Sequence, residues 1–165
     1  MDGNQVDGEP GQEEEQRASR VVMILLRLFR ALERVDTDLT PQQYRILKLA
    51  GAGGERSAKL AERLAVAKPT LTATADGLVA AGYARRDAEP GDRRVVRLCL
   101  TESGRDAVGR ADAAYGQWLE QLLAETAQPD QVLHALDLLN EAMDEVRRAR
   151  HAGPTDHRRS DAGPV

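Results

Sequence analysis

Two adjacent arginines that follow a turn signal are the residues whose chemistry most needs explaining. In Glu89 to Thr101, EPGDRRVVRLCLT, the run Pro90-Gly91-Asp92 marks a turn, Arg93 and Arg94 follow it, and an alternating apolar run closes the stretch. This is the pattern of a hairpin's return strand with cations at its tip, and guanidinium groups so placed suit phosphate oxygens. The surrounding segment shares the bias. From Arg56 to Arg97, nine cations (Arg56, Lys59, Arg63, Lys68, Arg85, Arg86, Arg93, Arg94 and Arg97) stand against five anions. The segment is therefore +4 within a chain of formal charge −4, which leaves −8 for the rest. A polyanion responds to the local field rather than to the total. The plainer reading is a solvated charged surface.

Catalytic chemistry has no comparable set. His134 lies inside a helical pattern, and His151 and His157 lie near the C-terminal end. There is no HExxH, no Gly-rich phosphate loop and no Cys/His cluster, so no catalytic residue, metal site or cofactor is expected. Cys99, the single cysteine, excludes an intramolecular disulfide and fits a reducing compartment. It falls on the return strand beside Arg97, which would lower the thiol pKa if the two approach. A small strand-filling residue is the plain reading of Cys99, and a redox-sensing regulator is the alternative. The apolar run Val21 to Phe29 is short of the ~20 residues of a membrane span and is broken by Arg27. The first residues are acidic where a secretory signal would be basic, so a cytoplasmic location is expected.

The elements that must position these cations are mostly helical. Residues 1–15 are Gly-, Glu- and Gln-rich and are expected to be a disordered tail, as are residues 151–165. Val21, Leu25, Leu28, Leu32 and Val35 recur at helical spacing from about Gln16, and Ile24 and Phe29 widen that stripe. Thr40-Pro41-Gln42-Gln43 is a helix start with the makings of a capping box, and Gly51 to Gly54 ends that helix. A short helix with Leu60, Ala61 and Leu64 inward follows, for which Ser57 is the best local cap. After a break at Val66-Ala67, another helix runs from Lys68 towards Gly82. The hairpin then pairs Tyr83–Arg86 with Val95–Leu100, placing Val96, Leu98 and Leu100 on one face and Val95, Arg97 and Cys99 on the other. Thr101-Glu102 opens a long helix, and Gln128-Pro129-Asp130 precedes the last one.

Two short helices across a tight break, followed by a two-stranded hairpin, make a winged helix-turn-helix. Its second helix suits the major groove, and its hairpin tip reaches phosphates or the adjacent minor groove. The fold class expected is mainly α with a small β-hairpin wing, joined to a helical dimerisation domain. The segments LTPQQYRILKLA, KLAERLAVAKPTLT, DGLVAAGYARR and PGDRRVVRLCLTESGR resemble the MarR family of bacterial transcriptional regulators, over about Leu39 to Arg105. The wing, Asp92-Arg93-Arg94 with Leu100-Thr101 and Gly104, is the most specific part. The resemblance implies a homodimer whose outer helices (16–38 and 105–150) interlace while residues 39–104 read a pseudo-palindromic operator in double-stranded DNA. It also implies that Asp92 pairs with Arg94 and stiffens the tip. By position it places a small aromatic effector near Phe29, Tyr44, Tyr115 and Trp118, for which core packing is the plain alternative.

The chain departs from the family's pattern in the reading helix. Ala67 stands where a capping Ser or Asp is common, Ala73 where an arginine is common, and Gly77 where a larger residue is common. Lys68, Thr70 and Thr72 remain as the contacts this helix can offer, with Arg93, Arg94, Arg86, Arg56 and Ser57 around it, while Thr74 is expected to face inward. The family's pattern puts Arg56 at the cap of the preceding helix and local chemistry prefers Ser57, which leaves that start open between the two. The functional reading is a ligand-responsive repressor. A winged helix used only for protein contacts is the alternative.

Overall fold

The computed structural model describes residues 10–51, 53–89 and 91–151, and at Pro10, Arg93, Arg94 and His151 the backbone alone. The chain divides into two compact units between Leu119 and Glu120. In the first, helix α1 spans Pro10–Leu32. Residues 10–15, expected to belong to the disordered N-terminal tail, are therefore helical, and so is His151, expected to open the C-terminal one. Proline is pre-organised for a first turn, and Glu13 there complements the helix dipole. The remaining expected tail residues, 1–9 and 152–165, lie outside the described residues.

Helix α2, Pro41–Ala50, starts on the expected capping box: the Gln43 amide donates to Thr40 Oγ1 and the Thr40 amide to Gln43 Oε1. It stops at Gly51, whose φ of 61° suits glycine. The chain then forms strand β1, Glu55–Arg56, which the sequence reading did not foresee. Two residues between glycines and a helix carry no alternation to detect, and only the partner strand makes them β. Helix α3, Ser57–Leu64, has Arg56 as its N-cap with no side-chain capping bond. Ser57 is thus the first helical residue rather than the cap. Helix α4, Lys68–Ala80, follows the tight break, with Ala67 as its equally uncapped N-cap and Pro69 in its first turn.

Strands β2, Ala84–Glu89, and β3, Asp92–Leu100, pair antiparallel, and β1 adds to the far edge of β3 in the order β1-β3-β2. Both hairpin strands reach further towards the turn than expected. The burial pattern also differs from simple alternation: Val96 is 41% exposed, whereas Cys99 is buried with Leu98 and Leu100. Val96 pairs with Ala88 out on the wing, away from the buried cluster. Cys99 is covered because Gly54 passes over its face of the sheet, so close that a Cβ at Gly54 would stand 2.3 Å from the Cys99 sulfur.

The buried cluster of this unit joins Ile46 and Leu47 of α2, Leu60 and Leu64 of α3, Leu71 and Leu78 of α4, and Leu98 and Leu100 of β3. Helix α5, Glu102–Ala124, adds Ala107, Val108 and Ala111. The second unit contains the end of α5 and helix α6, Pro129–His151. No described helix is long and apolar enough to cross a membrane.

Candidate nucleic-acid interface

Burial of Leu71, Ala75 and Leu78 fixes the rotation of α4 and turns Lys68, Thr70, Thr72, Ala73, Asp76 and Gly77 outward. Thr74 is half-buried, and its hydroxyl donates to the Thr70 carbonyl at 3.0 Å. The Thr72 hydroxyl likewise donates to the Lys68 carbonyl at 2.9 Å. Its proton is thereby committed, so the side chain shows the outside an acceptor oxygen and a methyl group. Lys68 sits at the positive end of the helix dipole and makes no ion pair among the described residues. A cation there costs the helix roughly 0.3–1 kcal/mol.

Most of the other cations are already engaged. Of the seven cations of the basic segment whose side chains are described, six are ion-paired. Arg86 Nη1 on β2 meets Asp76 Oδ1 of α4 at 2.5 Å, tying the outward helix to the sheet. Arg85 forks onto Asp87, whose carboxyl this holds below its usual range. Lys59 and Arg63 share Glu55, at 3.1 and 3.9 Å. Arg56 and Arg97 share Glu89, at 3.2 and 3.3 Å. The sequence reading missed these pairings: Glu89 with Arg56 and Arg97, and Asp76 with Arg86, depend on tertiary placement, whereas the i,i+4 spacing of Glu55 and Lys59 could have revealed theirs. Each of the two shared clusters retains a net +1.

Arg93 and Arg94 stand at the start of β3, immediately after Gly91 at φ 88° and Asp92. The expected Asp92–Arg94 pair involves a side chain outside the described residues. Ser57 is half-buried in the first turn of α3.

Cys99 is buried on β3, in keeping with a strand-filling residue, and the lowered thiol pKa of the alternative is not found. Burial, then the neighbouring Asp87 carboxylate, pushes its thiol up, and Arg97 does not reverse this. The Arg97 guanidinium is instead spent on Glu89 and on the carbonyls of Gly53 and Gly54. A thiol held protonated is a poor nucleophile.

Of the four expected aromatic residues, the structure brings together two. Tyr44 and Tyr115 meet edge to face, with centroids 5.1 Å apart. Phe29 is 49% exposed on α1, and Trp118 is half-buried on α5. The Tyr44 hydroxyl donates to Asp112 Oδ1 at 2.5 Å, and Lys48 pairs with the same carboxylate at 3.0 Å. Tyr44 and Lys48 are four residues apart on α2, a spacing that could have revealed their common face. Burial and Asp112 push the Tyr44 phenol up to about 12. Its folded pKa is thus above the ordinary value near 10. The associated stability is whole below about pH 10 and is lost as pH rises through about 12. Ultraviolet titration of the folded protein should show a tyrosinate step near 12 that Tyr44→Phe removes. A Tyr44 step near 10 would contradict this geometry.

Residues 39–96 match the model of the MarR family. The chain is 31% identical over 134 residues to an uncharacterized HTH-type transcriptional regulator of Mycobacterium leprae, covering 78% of this chain and 93% of that protein. A mutant MarR from E. coli complexed with operator DNA superimposes with a TM-score of 0.66 at 26% identity, covering 82% of this chain and 99% of that one. The transcriptional regulator BldR from Sulfolobus solfataricus gives 0.67 over the same shares at 22% identity, a likeness of fold.

Proposed function

The chain belongs to the MarR family of DNA-binding transcriptional regulators, and from that premise we propose that it acts as a homodimeric, effector-responsive repressor. Members of this family are regulators rather than enzymes. The observation that carries the dimer is the uncovered apolar surface of α1: Val21 to Leu26 and Phe29 are each 43–56% exposed. Such contiguous patches mark interfaces. In the second unit, Val132, Leu133, Leu136, Leu139, Met143 and Val146 of α6 are 38–57% exposed. A second copy of the chain would cover both sets.

In this reading, the outward face of α4 enters the major groove while the wing lies beside it, as the E. coli complex with operator DNA supports. Lys68 and the first-turn amides of α4 face phosphate, and Thr70 and Thr72 face base edges. Arg93 and Arg94 reach from the wing tip, and Asp92 orders it. Occlusion of a promoter by the bound dimer represses. A small aromatic effector, held near Tyr44 and Tyr115 with Phe29 and Trp118 as the further candidate residues, acts by favouring a dimer whose reading helices are wrongly spaced. Transcription by such a regulator takes place in the cytoplasm.

Selection of bound duplexes from a random pool tests this reading. It should recover a two-fold symmetric sequence whose half-sites lie ~10 bp apart. Asymmetric or unspecific recovery would refute it. Because Ala73 and Gly77 give α4 no reach, the wing carries a large share of the affinity. Arg94→Ala is expected to weaken binding to the recovered duplex by ~1–3 kcal/mol, more than Lys68→Ala does. Titrations by fluorescence anisotropy decide it, and a far costlier Lys68→Ala would reverse the assignment.

A further inference from the structure

Arg56 and Arg97 stand directly opposite one another across β1 and β3. Like charges so opposed weaken a ladder. Glu89 resolves the conflict. Arg56 donates to both of its oxygens, from Nε at 3.3 Å and from Nη2 at 3.2 Å, and Arg97 Nη1 donates to Oε1 at 3.3 Å. Arg97 Nη2 also donates to the carbonyls of Gly53 and Gly54, at 2.9 and 2.7 Å. The Glu89 side chain is only 15% exposed. It is the last residue of β2, at the root of the wing turn, and the sheet's register shifts between Ala88 and Glu89. One carboxylate, directly and through Arg97, thus joins three segments: the end of β2 beside the wing turn, the strand that leads into α3, and the glycine loop that follows α2.

We propose that Glu89 is a positioning residue for DNA binding, holding the wing at a fixed angle to the helix-turn-helix, with Arg56 and Arg97 as its anchors rather than as phosphate contacts. The assignment rests on the DNA-reading function above. Arg56, then Arg97, holds the Glu89 carboxyl below its usual range, so the anchor is charged throughout the neutral region. Charge alone predicts the opposite effect of removing it. Loss of the carboxylate removes a negative charge and releases two guanidinium groups, which would tighten binding to any duplex.

The probes are a duplex recovered from a random pool by the full-length parent protein and an unrelated duplex of equal length, with thermal melting as the control for folding. Glu89→Gln is expected to lose about tenfold in affinity for the recovered duplex and none for the unrelated one, so that discrimination falls. Arg56→Gln is expected to weaken recovered-duplex binding without changing the slope of log affinity against log salt. The double variant should cost no more than Glu89→Gln alone, because the two residues act as one unit. Unchanged discrimination in Glu89→Gln overturns the proposal, as does a slope reduced by ~0.9 in Arg56→Gln, the mark of a lost phosphate contact. Should Glu89→Gln melt without cooperativity, the Arg56→Gln slope decides alone. Failure of the parent to recover any sequence would instead sink the DNA-reading function itself.

Discussion

A Leu25→Glu variant is expected to run as a monomer in light scattering and to bind the operator about 10²–10⁴-fold more weakly than the parent chain. Leu25 lies mid-way along the apolar stripe of α1 and is 43% exposed in the single chain. No residue of α1 belongs to the buried cluster that holds α2 to α5 and the sheet together. A glutamate there should therefore leave the winged unit folded, as far-ultraviolet circular dichroism can verify. In a dimer the same carboxylate would be taken out of water without a partner, at a cost of several kcal/mol. The affinity loss follows from geometry. Two winged units on one operator bind with the second event made intramolecular, and a monomer forfeits that effective concentration. A Leu25→Glu protein that stays dimeric and binds as tightly as the parent would remove α1 from the interface.

What the sequence disclosed and what it hid follow a physical division. The capping box at Thr40 and Gln43, the start of α4 at Lys68, and the turn after Glu89 are local: each is written within four or five residues and survives whatever the rest of the chain does. Strand β1 and the burial of Cys99 are not local. Both exist because the glycine loop after α2 passes close over β3, which no window of sequence contains. The candidate site divides in the same way. The outward residues Lys68, Thr70 and Thr72 of α4 were anticipated through the resemblance, and burial of Leu71, Ala75 and Leu78 turns them out. The engagement of Arg56, Arg86 and Arg97 by Glu89 and Asp76 was not anticipated, since a count of charges cannot tell a free cation from one held across a sheet. The count of +4 overstated the number of arginines free to meet phosphate.

The corner at which the wing's inner strand turns into α5 carries the other large effect. Gly104 lies in the first turn of α5, and a Cβ added there would stand 1.9 Å from the Tyr83 carbonyl oxygen and 2.9 Å from its carbon. These are backbone atoms, so no rotamer change can relieve the overlap. The same carbonyl accepts from the Thr101 amide at 3.1 Å. The Thr101 hydroxyl donates to the Gly82 carbonyl at 2.6 Å and accepts from the Gly104 amide at 3.0 Å. Moving α5 away to admit a methyl group would break this cap as well as the packing beneath it. Overpacking typically costs ~1–3 kcal/mol, and a lost Thr cap adds ~1 kcal/mol. The better helix propensity of alanine returns up to ~1 kcal/mol. Gly104→Ala is thus expected to destabilise by roughly 1–4 kcal/mol, a fall in Tm on the order of 2–16 °C at fixed protein concentration. Gly109 in the same helix is the contrast, because nothing lies within 4 Å of a Cβ built on it. Gly109→Ala should leave Tm unchanged or raise it, by the propensity gain alone. If Gly104→Ala melted with the parent while Gly109→Ala did not, the close approach at Tyr83 would not be what fixes this corner.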